Sequence, residues 1–174
     1  MRRKRTRILD FEVDKLTNCI ENSISGEVFD TIITEITWQD RKLIKKEDWL
    51  FNWHMELKTS ERRVFKVTTI ENPKIIQGLL SLTDKGDHIF MNLIENATFN
   101  RGKDKLYRGV AGNLIAFACK MAFEKGYDGF VSFISKTNLV QHYQDTLGAK
   151  VLSGLRMLIE TRESLVLVRT YFKS

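Results

Sequence analysis

The chain has 174 residues, 43% of them hydrophobic and 29% charged, with one proline and two cysteines. That balance fits a single domain with a sizeable core and excludes a low-complexity chain or a disulfide framework. No apolar run approaches the roughly 20 residues of a membrane span, and the basic opening MRRKRTR leads into no apolar signal stretch, so a cytoplasmic protein without membrane contact is expected.

The net charge of +6 comes from 28 basic and 22 acidic residues. Five of the basic ones are Arg2, Arg3, Lys4, Arg5 and Arg7; without them 23 basic residues face the same 22 acidic ones. The expected organisation is therefore a basic tail over 1–7 and a nearly neutral single domain over 8–174. Such a body is not a nucleic-acid surface throughout. The tail is open to two readings, a solubilising start or a contact for RNA or an acidic partner.

Along the chain, Phe11, Val13 and Leu16 open either a strand or a helix, and Thr31 to Ile36 is β-rich. Trp49, Trp53 and Leu57 recur every four residues and predict a helix over 45–57, its aromatics facing the core. An alternating segment at 63–70 and two further strands at 75–82 and 88–95, broken by Asn72-Pro73 and by Thr83 to Gly86, predict an antiparallel meander. A helix with Leu106, Val110, Leu114, Phe117 and Met121 on one stripe follows and stops at Gly126. Cys119 lies inside it and reads as a small core residue. The unbroken apolar run Phe130 to Ile134 predicts a strand buried on both faces, parallel to the one before the helix. A short helix over 138–146 and two strands over 155–160 and 165–172 complete an α/β chain with a mixed sheet.

The stretch before the long helix, RGKDKLYRGVAG, holds the chemistry. It carries Arg101, Lys103, Lys105 and Arg108, with Gly109, Ala111 and Gly112 at the helix start. A helix start has unpaired N–H groups and the positive end of the dipole, and small residues let an anion reach them. This pattern predicts a phosphate or pyrophosphate site. No Gly-Lys-Ser/Thr follows the glycines, and no dinucleotide fingerprint is present. His54, His88 and His142 share no metal-ligand spacing, so no metal is expected.

LYRGVA, Leu106 to Ala111, followed by GNLIAFA, and later FVSFISKTNLVQHYQDTLGAK together resemble the GNAT superfamily of acetyl-CoA-dependent N-acetyltransferases over about 63–172. Leu106 stands where the family's loop has Gln or Arg, and Ala149 replaces an aromatic. The resemblance implies a single domain with a mixed, mostly antiparallel sheet flanked by helices. It implies a splay between the fourth and fifth family strands, those ending near Glu95 and spanning 130–134. The pantetheine arm of acetyl-CoA is then expected along the backbone of Leu93, Ile94 and Glu95. The pyrophosphate is expected on the N–H groups of Tyr107, Arg108, Gly109, Val110, Ala111 and Gly112, with Asn113, Lys136, Asn138 and Tyr143 nearby.

The implied reaction is acetyl transfer to a primary amine by direct attack in a ternary complex. Tyr143 is the candidate general acid for the leaving thiolate, and Glu95 the candidate base for the amine. The acceptor is a small molecule, a peptide or an aminoacyl group, and monomer and homodimer are both open. Two other readings stand: a non-catalytic CoA-binding or nucleic-acid-associated module, and a toxin-like enzyme that acetylates aminoacyl-tRNA.

Overall fold

A computed structural model describes residues 19–172. The tail over 1–7 and the ambiguous segment up to Leu16 lie outside the described residues. The first elements are β1 (Ile20–Asn22), β2 (Val28–Phe29) and β3 (Thr31–Ile36). Then come α1 (Trp53–Lys58), β4 (Arg62–Thr69), β5 (Gly78–Asp84), β6 (Ile89–Asn96), β7 (Tyr107–Arg108) and α2 (Val110–Glu124). The chain finishes with β8 (Val131–Ile134), α3 (Val140–Leu147), β9 (Lys150–Ser153), β10 (Arg156–Ile159) and α4 (Thr161–Tyr171).

Among the described residues the main sheet has seven strands in the order β3-β4-β5-β6-β8-β10-β9, and every pairing except β6 with β8 is antiparallel. The predicted meander is β4, β5 and β6, and the predicted crossover is α2 leading into β8. A small second sheet, β2-β1-β7, straps the segment before α2 to the start of the described chain.

One face of the main sheet carries the large core. Phe65, Val67, Leu80, Ile94, Val131 and Phe133 meet Leu114, Ile115 and Cys119 of α2, Tyr143 of α3 and Leu167 of α4. The other face carries a smaller core of Ile36, Ile44, Val64, Leu79 and Leu93 under Trp53. α2 ends with a Schellman motif: Tyr127 N–H donates to Ala122 C=O at 2.8 Å and Gly126 N–H to Phe123 C=O at 3.0 Å. Gly126 sits at φ +80°, which explains the glycine there.

Three sequence expectations are corrected. Of residues 165–172, expected as a strand, all but the capping Phe172 belong to α4, whose buried Ser164, Leu167 and Tyr171 follow helical spacing and pack toward α2. The helix expected over 45–57 is a 3-10 turn at Lys46–Asp48, a loop, and the short α1. It begins late because Asn52 caps it, Oδ1 accepting from Met55 N–H at 3.1 Å. Leu106, expected on the long helix, precedes β7 and is exposed.

Cys119 is fully buried, and burial pushes its thiol up to about 12. A thiol held protonated is a poor nucleophile, consistent with a core role.

Two helix substitutions test the corrected C-terminus. Leu167→Ala should destabilise by about 2–4 kcal/mol, because it empties the α4–α2 contact. Val166→Ala, at a position 60% exposed, should stay within about 0.5 kcal/mol. Chemical denaturation reads both.

Candidate active site

The site begins with a fault in the sheet. Across β5 and β6, Ser81 pairs with Leu93 but Leu82 pairs with Met91, so Asn92 is an extra residue in β6. Its buried side-chain amide donates to Thr83 Oγ1 at 2.8 Å and Ser81 Oγ at 3.3 Å. A bulge bends its strand and adds twist. β6 pairs with β8 only through Ile89 with Val131 and Phe90 with Ser132. From Met91 to Asn96 it runs on past that pairing, and the two parallel strands part at their C-terminal ends. Leu93, Ile94 and Glu95 are the strand residues beside the opening.

Because α2 crosses back from the end of β6 to the start of β8, its N-terminus stands at the same end as the opening. Gly109 holds φ +89° there, the left-handed conformation that turns the chain into the helix. Asn113 N–H donates to Gly109 C=O at 3.1 Å, so the N–H groups of Val110, Ala111 and Gly112 precede the first intrahelical bond. Gly78 fixes the seat of this turn: a Cβ on it would stand 2.8 Å from Val110 Cγ1.

The approach to the helix is well tied down. Asn100 is buried; its amide donates to Gln77 Oε1 at 2.8 Å and Gln77 C=O at 3.1 Å, and its Oδ1 accepts from Tyr107 N–H at 3.1 Å. Leu106 N–H donates to Phe99 C=O at 2.7 Å, and Leu106 C=O accepts from Ser23 N–H at 2.8 Å. The Ser23 hydroxyl donates to the Lys105 carbonyl. Tyr107 packs edge-on against Phe29 at 5.8 Å.

The residues expected around a cofactor make these contacts. Tyr107 N–H already has Asn100 as its acceptor. Asn113 turns its amide to Gly109 C=O at 2.8 Å and accepts from Thr31 Oγ1 at 3.0 Å, which makes it a brace between α2 and β3. Arg101 donates from Nε to Asn96 C=O at 2.7 Å and from Nη2 to Glu95. Lys103 and Arg108 are exposed. Lys136 and Asn138 are exposed just past β8, at the open end of the strand pair.

Glu95 is 4% exposed. Its carboxylate accepts from Leu50 N–H at 2.8 Å, Phe51 N–H at 3.1 Å and Trp53 Nε1–H at 2.9 Å, in addition to Arg101. Each of its two oxygens thus has two donors. Tyr143 is fully buried on α3, edge-on to Phe133 of β8 with ring centroids 5.2 Å apart.

Asn92, Gly78, Gln77 and Asn100 shape the site and were not singled out from the sequence. The polar Asn92 inside the apolar stretch IFMNLIEN is a legible bulge signal. Nothing local marks Asn100. A cavity of about 340 Å³, lined by Asp87, His88, Phe130, Ser132, Leu152, Arg156 and Leu158, holds none of the expected site residues. Among the described residues, no group of three or more His, Cys, Asp and Glu is placed to hold a metal ion, and no helix is long and apolar enough to cross a membrane.

This architecture is that of the GNAT N-acetyltransferases: a mixed, mostly antiparallel sheet flanked by helices and parted between its two central parallel strands. No family model and no curated protein sequence matches the chain. Solved structures do. A ribosomal-protein alanine N-acetyltransferase from Escherichia coli superposes with a TM-score of 0.52 at 13% identity, over 74% of this chain and 90% of that one. AtaTR bound with AcCoA superposes with a TM-score of 0.53 at 12% identity, over 79% and 98%. An acyl-CoA N-acyltransferase from Pseudomonas aeruginosa gives 0.50 at 12% identity, over 75% and 98%. At these identities the likeness defines the fold.

Gly78→Ala tests how the helix start is seated. The new methyl group must displace Val110, so the variant should lose about 1–3 kcal/mol, read as a lowered thermal midpoint. Gly86→Ala serves as the contrast. Its φ of +87° carries strain, but no atom within 4 Å meets the added Cβ. Amide shifts in its spectrum should stay local to the β5–β6 turn, whereas those of Gly78→Ala reach the first turn of α2.

Proposed function

We propose that the protein transfers an acetyl group from acetyl-CoA to a primary amine, with both substrates bound together. The observation that carries this reading is the parting of β6 and β8 beside the N-terminus of α2. An unpaired strand edge presents N–H and C=O groups in alternation, which suits the amides of a pantetheine arm. Leu93, Ile94 and Glu95 supply that edge. The N–H groups of Val110, Ala111 and Gly112, with the positive end of the α2 dipole, suit a pyrophosphate. Exposed Lys103 and Arg108 add positive charge nearby, and Lys136 and Asn138 reach the same end from β8. The fold shared with acetyltransferases, one of them bound with AcCoA, supports the same reading.

In the reaction, the amine nitrogen attacks the thioester carbonyl carbon. The carbon–sulfur bond breaks, and sulfur leaves with the bonding pair as a thiolate. Tyr143 is assigned to protonate that sulfur; the proton shed by the amine nitrogen passes to solvent water, and solvent returns one to the Tyr143 phenolate. Its support is position: α3 follows β8, and the Tyr143 ring packs on Phe133 of that strand, out of water. A phenol in such surroundings is a better donor to sulfur than one competing with solvent. The acceptor class is an amine on a small molecule, a peptide or an aminoacyl group.

Calorimetry with acetyl-CoA should show saturable binding to the wild type. Ala111→Asp should abolish it while thermal unfolding stays cooperative, because a carboxylate would stand at the anion site. Arg108→Glu, at an exposed position, should weaken binding less, and most at low salt. Absence of any binding by the wild type would sink the acyl-transfer reading.

Tyr143→Phe tests the acid. Acetyl-CoA affinity should survive, and thiol release with an acceptor found by screening amines, peptides and aminoacyl-tRNA should fall by roughly 10²–10⁴-fold. Wild-type turnover under conditions where chemistry is limiting would reduce Tyr143 to a packing residue.

A further inference from the structure

A carboxylate has about four lone-pair directions, and Glu95 has four donors on them. Leu50 N–H and Phe51 N–H come from the loop ahead of α1, Trp53 Nε1–H from the first residue of α1, and Arg101 from the segment leading to the anion-binding turn. Arg101 also donates to the carbonyl of Asn96, the last residue of β6. The loop has a second tie, Thr98 Oγ1 donating to Asp48 C=O at 3.3 Å. One side chain thus joins three segments at the open end of β6: the strand end, the loop over 48–53 and the start of the 97–108 connection.

We propose that Glu95 is a positioning residue rather than the base: its carboxylate clamps the 48–53 loop and, through Arg101, the approach to the anion-binding turn, and it takes no proton from the acceptor. To accept a proton it would have to release a donor. Removing one partner of a buried, charge-assisted set leaves the others uncompensated, which opposes that exchange. The clamp holds Leu50, 79% exposed, and Phe51, 43% exposed, outward beside the splay. It therefore shapes the wall at which an acceptor would arrive. The consequence for catalysis rests on the acyl-transfer reading; the clamp itself does not.

The test uses the full chain and two variants, Glu95→Gln and Arg101→Met. Glutamine replaces one acceptor oxygen by a donor, so at least one loop N–H loses its partner. Hydrogen exchange at Leu50 and Phe51 should accelerate by roughly tenfold or more in Glu95→Gln, and less in Arg101→Met, as local opening becomes easier. The Trp53 indole signal should shift in both. Acetyl-CoA affinity should fall severalfold in both variants, with partial recovery in Arg101→Lys. Loss of a base alone would change neither exchange nor cofactor affinity. Unchanged exchange at Leu50 and Phe51 in both variants would overturn the clamp, and wild-type acetyl-CoA affinity in both would overturn its reach to the anion-binding turn. Should the wild type bind no acetyl-CoA, the acyl-transfer reading falls, and the exchange rates still decide the clamp.

Discussion

The structure depends on the early end of hydrogen bonding between β6 and β8. Two residue pairs join these parallel strands, and then the partnership stops while β6 continues. Parallel strands in the middle of a sheet normally stay paired, because each lost ladder bond leaves a donor and an acceptor to be satisfied elsewhere. Here Asn92 breaks the rule. It inserts one residue against β5, and its amide is held by two hydroxyls of that strand, which keeps β5 and β6 together while β6 bends. The gap is therefore built into the covalent sequence of one strand.

Around this gap, α2 has to start at the right height. The crossover geometry brings its N-terminus to the open end of the strands, and Gly78 lets the first turn sit directly on β5. Buried Asn100 then sets the path into that turn by bonding Gln77 on one side and Tyr107 N–H on the other. Side-chain amides do this work well, since one group both donates and accepts. Asn92, Asn100 and Asn113 each tie a backbone irregularity to regular structure. A polar residue inside an apolar segment is costly unless paired, so all three mark places where the chain departs from simple strand or helix.

Much of this was legible in advance. The meander of β4, β5 and β6, the crossover helix with its terminal Gly126, and the buried parallel strand all follow from local periodicity and turn residues. The glycine-rich helix start was legible for the same reason: Gly109 and Gly112 are local signals. What failed was long-range in origin. The segment at 165–172 is β-branched and apolar enough for a strand, but docking on α2 selects the helix. The 45–57 segment has helical spacing, but the N–H groups of Leu50 and Phe51 go to Glu95, forty-odd residues away in sequence, and the helix starts only after Asn52. For the same reason Glu95 read as an available carboxylate. Its donors come from loops whose approach no local pattern reveals.

The two faces of the sheet differ in how firmly they are covered. α2, α3 and α4 close one face with a continuous core, so the N-terminal end of α2 rests on packed elements. Among the described residues, the other face has the short α1 and 3-10 turns over a smaller core. Buried polar contacts supplement that limited apolar area. Glu56, fully buried, bonds Arg62 at 2.7 Å, and Trp53 is held by its indole as well as its ring. Leu50 and Phe51 are fastened through their backbone N–H groups and leave their side chains exposed. On the acyl-transfer reading, the cofactor would lie at the end of the firmly packed α2 and the acceptor would meet elements fastened by a few directional bonds. Those bonds come from residues distant in sequence, so an acceptor side built on them would leave fewer local signals than the glycine-rich start of α2.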